Sequence, residues 1–274
     1  ILYSDVYAGE TYDARLEQPG WAKEGFNEAP WNAARSADGP EVPLRCQIGP
    51  RIRPIQIIPV ARRTSPKPGV YVFDFGQNFS GWARLKAQGP AGTRVTMRFA
   101  EVLKASGEID QANLRTARAT DAFILAGTGS AESFAPRFTF HGFRYVELSG
   151  YPGEPQADAL EGICAYSDCP ATGNLKVENP IIDNVWRNAV WSQKSNFFGM
   201  PTDCPQRDER LGWMGDAQVF WDAAAHNMDV DGFTRKFMAD IRAAQTKDGA
   251  FSDVIPPFAP IMPQGSPGWA DRSE

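Results

Sequence analysis

A β-sandwich followed by paired helices is the architecture that this 274-residue chain predicts. Three observations carry it. Six strand-like runs follow one another between Gly69 and Ser167, several alternating apolar with polar, each bounded by Gly, Pro or Asp. Beyond Cys169 the apolar period lengthens from two residues to three or four. Hydrophobic residues make up 42% and charged residues 22%, an ordinary globular balance that excludes a disordered or fibrous chain.

Residues 1 to about 60 are rich in turn formers and aromatics, with short apolar runs such as IRPIQIIPV, and read as loops and edge strands of a β domain. The regular strands are GVYVFDFG, GWARLKAQG, TRVTMRFAEVL, TDAFILAG, FRYVELSGY and LEGICAYS, which suit an antiparallel sandwich over residues 61–167. DFGQNFSGW sits among them without the companion motifs of a kinase, so it reads as a strand end with an Asx-type turn. From residue 168 the chain turns helical. Asn179 and Pro180 form an N-cap and first-turn signal, and Ile181, Ile182, Val185, Trp186, Ala189 and Val190 make a broad apolar stripe to about Asn196. A polar loop fills 199–215, a second helix spans Asp216 to about His226, and Phe233, Phe237, Ile241 and Ala244 mark the buried face of a third. Helices this few, with stripes this wide, leave apolar surface uncovered unless more helices follow.

The charge balance excludes several functions. Lys and Arg number 28 against 33 Asp and Glu, a net charge of −5 without a basic tail or face, so no nucleic-acid partner is expected. No stretch approaches the ~18 consecutive apolar residues of a membrane span, and no membrane partner is expected either. Cys46, Cys164, Cys169 and Cys204 form no CxxC pair and read as reduced thiols, which leans toward the cytoplasm, although a signal peptide upstream of Ile1 would reverse that. The only histidines are His141 and His226, and because zinc sites and Ser-His-Asp triads draw on imidazole, that scarcity points to carboxylates as the groups that carry the chemistry. His141, among aromatics, reads as a packed or surface residue; Trp186, Trp191 and Trp221 read as core.

The densest polar constellation is PTDCPQRDERLGWMGDAQ, residues 201–218, with Asp203, Asp208, Glu209 and Asp216 beside Arg207, Arg210 and Trp213. A solvated turn with locally paired charges is the plain alternative. Trp213 between two glycines, Cys204–Pro205 and the apolar lead-in NFFGM instead point to a loop packed in a cleft. There a carboxyl beside apolar rings would be raised toward the range of a general acid, while arginines keep its neighbours ionised. Carboxylates, Arg and an indole together suit a sugar site. The spacing lacks the alternating oxygen ligands of a calcium loop and carries two cations, so no metal is expected. Cys204 has no base nearby in sequence and reads as packing.

At this loop the sequence resembles the bacterial α-L-rhamnosidases of glycoside hydrolase family 78. GETYDAR (9–15) with Trp21 and Trp31, DFGQNFSGW, AEVL, ATDAFILAG, FTFHGFRYVEL, WSQKSNF and PGWAD (267–271) extend the likeness over essentially the whole chain. The resemblance implies the tail of an N-terminal β-sandwich domain in 1–60, a jelly-roll-like β-sandwich in 61–167, and in 168–274 the first helices of an incomplete (α/α)6 barrel, all as a fragment of a larger enzyme. It implies release of terminal α-L-rhamnose with inversion and without a cofactor. Glu209 would be the general acid, Asp203, Arg207, Trp213 and Asp216 would bind rhamnose, and Trp269 would wall the pocket. The general base would lie beyond residue 274, leaving the fragment inactive alone, and the ending DRSE departs from the apolar helix expected there. Another (α/α)6 glycosidase and a non-catalytic carbohydrate-binding protein remain the alternatives. Aglycone preference and oligomeric state, a homo-oligomer included, are not legible in the chain.

Overall fold

The structure is a computed structural model that describes residues 1–39, 41–258 and 265–270. The unusual ending at 271–274, Asp271 of PGWAD included, lies outside the described residues. Among the described residues, twelve strands precede the helices: β1 (Tyr3–Asp5), β2 (Gly9–Asp13), β3 (Ile52–Ile58), β4 (Arg62–Lys67), β5 (Val70–Ala87), β6 (Arg94–Ala100), β7 (Val102–Leu103), β8 (Ile109–Asp110), β9 (Thr120–Ile124), β10 (Glu132–Phe134), β11 (His141–Ser149) and β12 (Leu160–Ser167). Ten of them form one hydrogen-bonded sheet in the order β1-β2-β9-β6-β11-β5-β12-β3, with β4 and β10 also on β5; β7 and β8 pair separately.

β5 explains how one sheet makes a sandwich. The sequence reads its two apolar runs as separate strands, but they form a single strand of 18 residues. The Asx-type turn is present: the Asp74 carboxylate accepts the Gly76 N–H at 2.7 Å. It bends the strand without ending it, because Gly76 and Gly81 take φ of 73° and 144°, where a side chain is disfavoured. The first half of β5 lies between β4 and β11, through Arg62↔Asp74 and Tyr145↔Asp74, and the second half pairs with β12 and β10, through Leu160↔Leu85 and Glu132↔Ala87. Both halves face one core, in which Phe73, Phe75, Phe79, Phe99, Phe123, Phe134 and Phe143 join Leu85, Leu148 and Leu160. Pairing is antiparallel except between β2 and β9, which run parallel with Thr11 opposite Ala122. The strands of residues 1–60 therefore hydrogen-bond into the same sheet as those of 61–167.

Three main helices follow, α1 (Pro180–Asn196), α2 (Met214–Asn227) and α3 (Asp231–Ala244), and a short helical turn covers Pro267–Ala270. Asn179 caps α1, its side chain accepting the Ile181 and Ile182 N–H groups at 2.9 and 3.4 Å with Pro180 in the first turn. The apolar stripe of α1 stays open: Ile181 is 72% and Val185 64% exposed. Trp221 packs against Phe197, Phe233 and Phe237, and Trp191 packs on the sandwich core, so both are packing residues. Half-buried Trp186 donates to the Asn227 side chain at 3.2 Å. His141 is fully buried, stacked on Phe99 at 4.1 Å and facing both oxygens of Asp121 at 3.2 Å.

Candidate active site

The loop between α1 and α2 folds around its own arginines. Arg207 bridges two carboxylates, donating through Nε to Glu209 Oε2 at 2.8 Å and through Nη2 to Asp203 Oδ2 at 3.0 Å. Asp203 Oδ1 accepts the Leu211 N–H at 2.7 Å, closing the loop on itself. Glu209 also accepts the Trp213 indole N–H on Oε1 at 3.0 Å and Arg115 Nη1 on Oε2 at 2.9 Å. Of the sequence-predicted site residues, Asp203, Arg207, Glu209 and Trp213 thus form one hydrogen-bonded cluster. Asp216, in the first turn of α2, and Trp269 lie apart from it, lining with Asp203 a cleft of about 590 Å³ between α1, α2 and the Pro267–Ala270 turn. Asp203 belongs to both groups. Trp269 seats against Gly215, where an added Cβ would come within 2.6 Å of the ring.

The sheet supports this loop from below. Arg210 is buried and donates to the carbonyls of Val6, Phe140, Gln206 and Arg207, with its guanidinium over the rings of Tyr7 and Phe140. The Tyr7 hydroxyl donates to the Glu209 carbonyl at 2.9 Å, and Thr116 donates both its N–H and its hydroxyl to Asp208. Gly142, at the start of β11, admits Pro205, whose ring would lie 2.7 Å from any Cβ there. Arg115, Thr116 and Tyr7 were not found by reading the sequence, because each meets the loop from nearly a hundred or more residues away and no local motif announces the contact.

Electrostatics divide the carboxylates in an unexpected way. Burial acts to raise Glu209, but the hydrogen bond and charge of Arg207, with Trp213 and Arg115 behind them, outweigh it and hold the group below the ordinary glutamate value. The carboxyl raised by burial is Asp203, with the charge of Glu209 adding to the effect against the bonds from Cys204 and Leu211. The expectation of a raised acid in this loop therefore falls on Asp203, since two guanidinia face Glu209. Burial and the Asp203 bond push the Cys204 thiol up to about 12, so thiolate chemistry is disfavoured there. Ligand-type atoms of Asp203, Cys204 and Glu209 lie within 4.8 Å of one another, yet the Arg207 guanidinium already bridges the two carboxylates, and a cation would have to displace it.

Three family models match the chain in order: the alpha-L-rhamnosidase N-terminal domain over residues 1–56, the bacterial alpha-L-rhamnosidase concanavalin-like domain over 64–166, and the bacterial alpha-L-rhamnosidase 6 hairpin glycosidase domain over 170–273. The chain belongs to the bacterial α-L-rhamnosidases of glycoside hydrolase family 78. Among curated members, the alpha-L-rhamnosidase of Streptomyces avermitilis is 45% identical over 99% of this chain and 26% of its own length. That of Alteromonas sp. is 38% identical over 100% of this chain and 30% of its own. The crystal structure of the Streptomyces avermitilis enzyme complexed with L-rhamnose superposes with a TM-score of 0.95, again over 99% of this chain and 26% of that one at 45% identity. The Dictyoglumus thermophilum alpha-L-rhamnosidase matches with a TM-score of 0.93 and 43% identity over 96% of this chain and 30% of that one. The chain thus spans between a quarter and a third of the length of the relatives it matches. The fold read from the sequence, a β domain followed by the opening of a helical barrel, is the one these rhamnosidases share.

Proposed function

We propose that this segment supplies the general acid and part of the sugar pocket of an inverting α-L-rhamnosidase. The observation that carries it is the cluster in which Arg207 bridges Asp203 and Glu209 while Trp213 grips Glu209, beside a cleft that Asp203, Asp216 and Trp269 line. A ligated carboxylate has about four lone-pair sites. Arg207 and Arg115 take two on Oε2 and Trp213 takes one on Oε1, so the site left to carry a transferable proton is on Oε1. As the glycosidic bond breaks, that proton passes to the leaving oxygen, and water attacks the anomeric carbon from the opposite face. The second carboxylate, in the remainder of the enzyme, takes a proton from that water, which sits between two carboxyl groups roughly 6.5–9.5 Å apart. Glu209 stands behind Asp203 at the edge of this cleft, and a leaving group that shields it from water would strengthen the burial that raises it and favour the protonated form.

Asp203, Arg207 and Asp216 bind ring hydroxyls in this reading, and Trp213 and Trp269 offer apolar faces. The L-rhamnose complex of the Streptomyces relative supports rhamnose as the sugar. The divisions at residues 60 and 167 are proposed as the domain limits, with β1 to β3 docked on the sheet of the second unit. Asp203 as the acid is a second reading, favoured by its raised carboxyl, but both of its oxygens already accept N–H donors. Proton NMR of the sugar first released by the complete enzyme tests the mechanism: β-L-rhamnose is expected, and an initial α anomer would establish retention instead.

A further inference from the structure

We propose that Arg115, on the sheet side of the molecule, is a positioning residue for Glu209 that sets the pH range in which the acid works. The inference rests on the reading of Glu209 as the general acid. Its geometry is independent of that reading. Arg115 Nη1 meets Glu209 Oε2 at 2.9 Å, on the same oxygen that Arg207 holds at 2.8 Å. The neighbouring Thr116 holds Asp208, so two consecutive residues of the turn before β9 grip two consecutive residues of the catalytic loop.

The backbone there is unusual. Arg115 has φ 57° and ψ −114°, the conformation of the first central position of a type II′ turn, which favours glycine. Among the described residues, the non-glycine residues with positive φ are Arg115, Ala119 and Arg210; Arg115 reaches the loop, Arg210 belongs to it, and the Ala119 N–H donates to the carbonyl of Tyr7, whose hydroxyl meets the loop at Glu209. Such conformations persist where the surroundings over-determine them, and they gather at functional sites. The Arg115 side chain is half-exposed, and the ion pair it makes from this backbone is with Glu209.

The charged and titratable groups facing Glu209 are Arg207, Asp203 and Cys204 from its own loop and Arg115 from the turn; the Tyr7 hydroxyl meets its carbonyl, and Asp208 and Arg210 flank it in sequence. Removing Arg115 takes away one of two cations that favour the ionised form, so the acid stays protonated to higher pH. In the complete enzyme, kcat/KM on an unactivated α-L-rhamnoside is measured against pH for wild type and for Arg115→Gln, Arg115→Lys and Arg115→Gly, with Glu209→Gln as control. The alkaline limb is expected to move to higher pH in Arg115→Gln and Arg115→Gly and to return toward wild type in Arg115→Lys. Arg115→Gly is expected to keep its Tm, because glycine suits the turn, which separates charge from backbone. Profiles of Arg115→Gln and wild type that superimpose, with Glu209→Gln inactive, would overturn the role of Arg115 while leaving the acid in place. Full activity of Glu209→Gln would overturn the acid reading and this inference with it.

Discussion

At the residue scale, the loop is organised by arginines, and they do different work. Arg207 and Arg115 act on charge, holding Glu209 below the ordinary glutamate value. Arg210 acts on structure: burial lowers it to about 10, so it stays protonated at neutral pH while four carbonyls from three segments share its donors. Arg210→Ala leaves those carbonyls without a partner and is expected to destabilise by roughly 3 kcal/mol, read as a fall in the denaturation midpoint, since each unsatisfied buried group costs ~1–3 kcal/mol. A change within 0.5 kcal/mol would show that water or relaxation replaces it. The motif DCPQRDERLGWMGD made the carboxylates, Arg207 and Trp213 legible, because their chemistry is local in sequence. The partition of charge between Asp203 and Glu209 was not, because Arg115 and Trp213 choose which carboxyl they bind only once the chain is folded.

At the element scale, α1 was the most legible feature, since Asn179–Pro180 fixes its start by chemistry that needs no tertiary partner. β5 was the least. Its glycines look like strand breakers, yet they sit within one continuous strand whose two halves pair with different neighbours, and that pairing comes from β11 and β12 much later in the chain. Gly81 shows the constraint most sharply: at φ 144°, an added Cβ would lie 1.9 Å from the Ile163 carbonyl oxygen of β12. Gly81→Ala is therefore expected to cost more than about 3 kcal/mol or to abolish folding, by the combined backbone and steric penalty. Chemical denaturation of the variant measures it, and wild-type stability would mean that the sheet can part at that point.

At the scale of the whole molecule, sheet and helices meet at one cluster: the helical segment brings Glu209, the proposed acid, and the sheet side brings Tyr7, Arg115 and Thr116 to hold its loop. That cooperation was hidden in the sequence, where the two halves read as consecutive units with a boundary near residue 167. The open apolar stripe of α1, by contrast, was foreseen from the pattern and is present, with Ile181, Ile182 and Val185 exposed. The most direct test compares the complete enzyme with its Glu209→Ala variant on an activated aryl α-L-rhamnoside and on an unactivated rhamnoside. A good leaving group needs little protonation, whereas an alkoxide leaving group depends on it, and general acid catalysis contributes about 10²–10⁴-fold. The account predicts that the variant loses about that factor on the unactivated substrate and far less on the aryl one. Equal losses on both, or none on either, would contradict Glu209 as the proton donor.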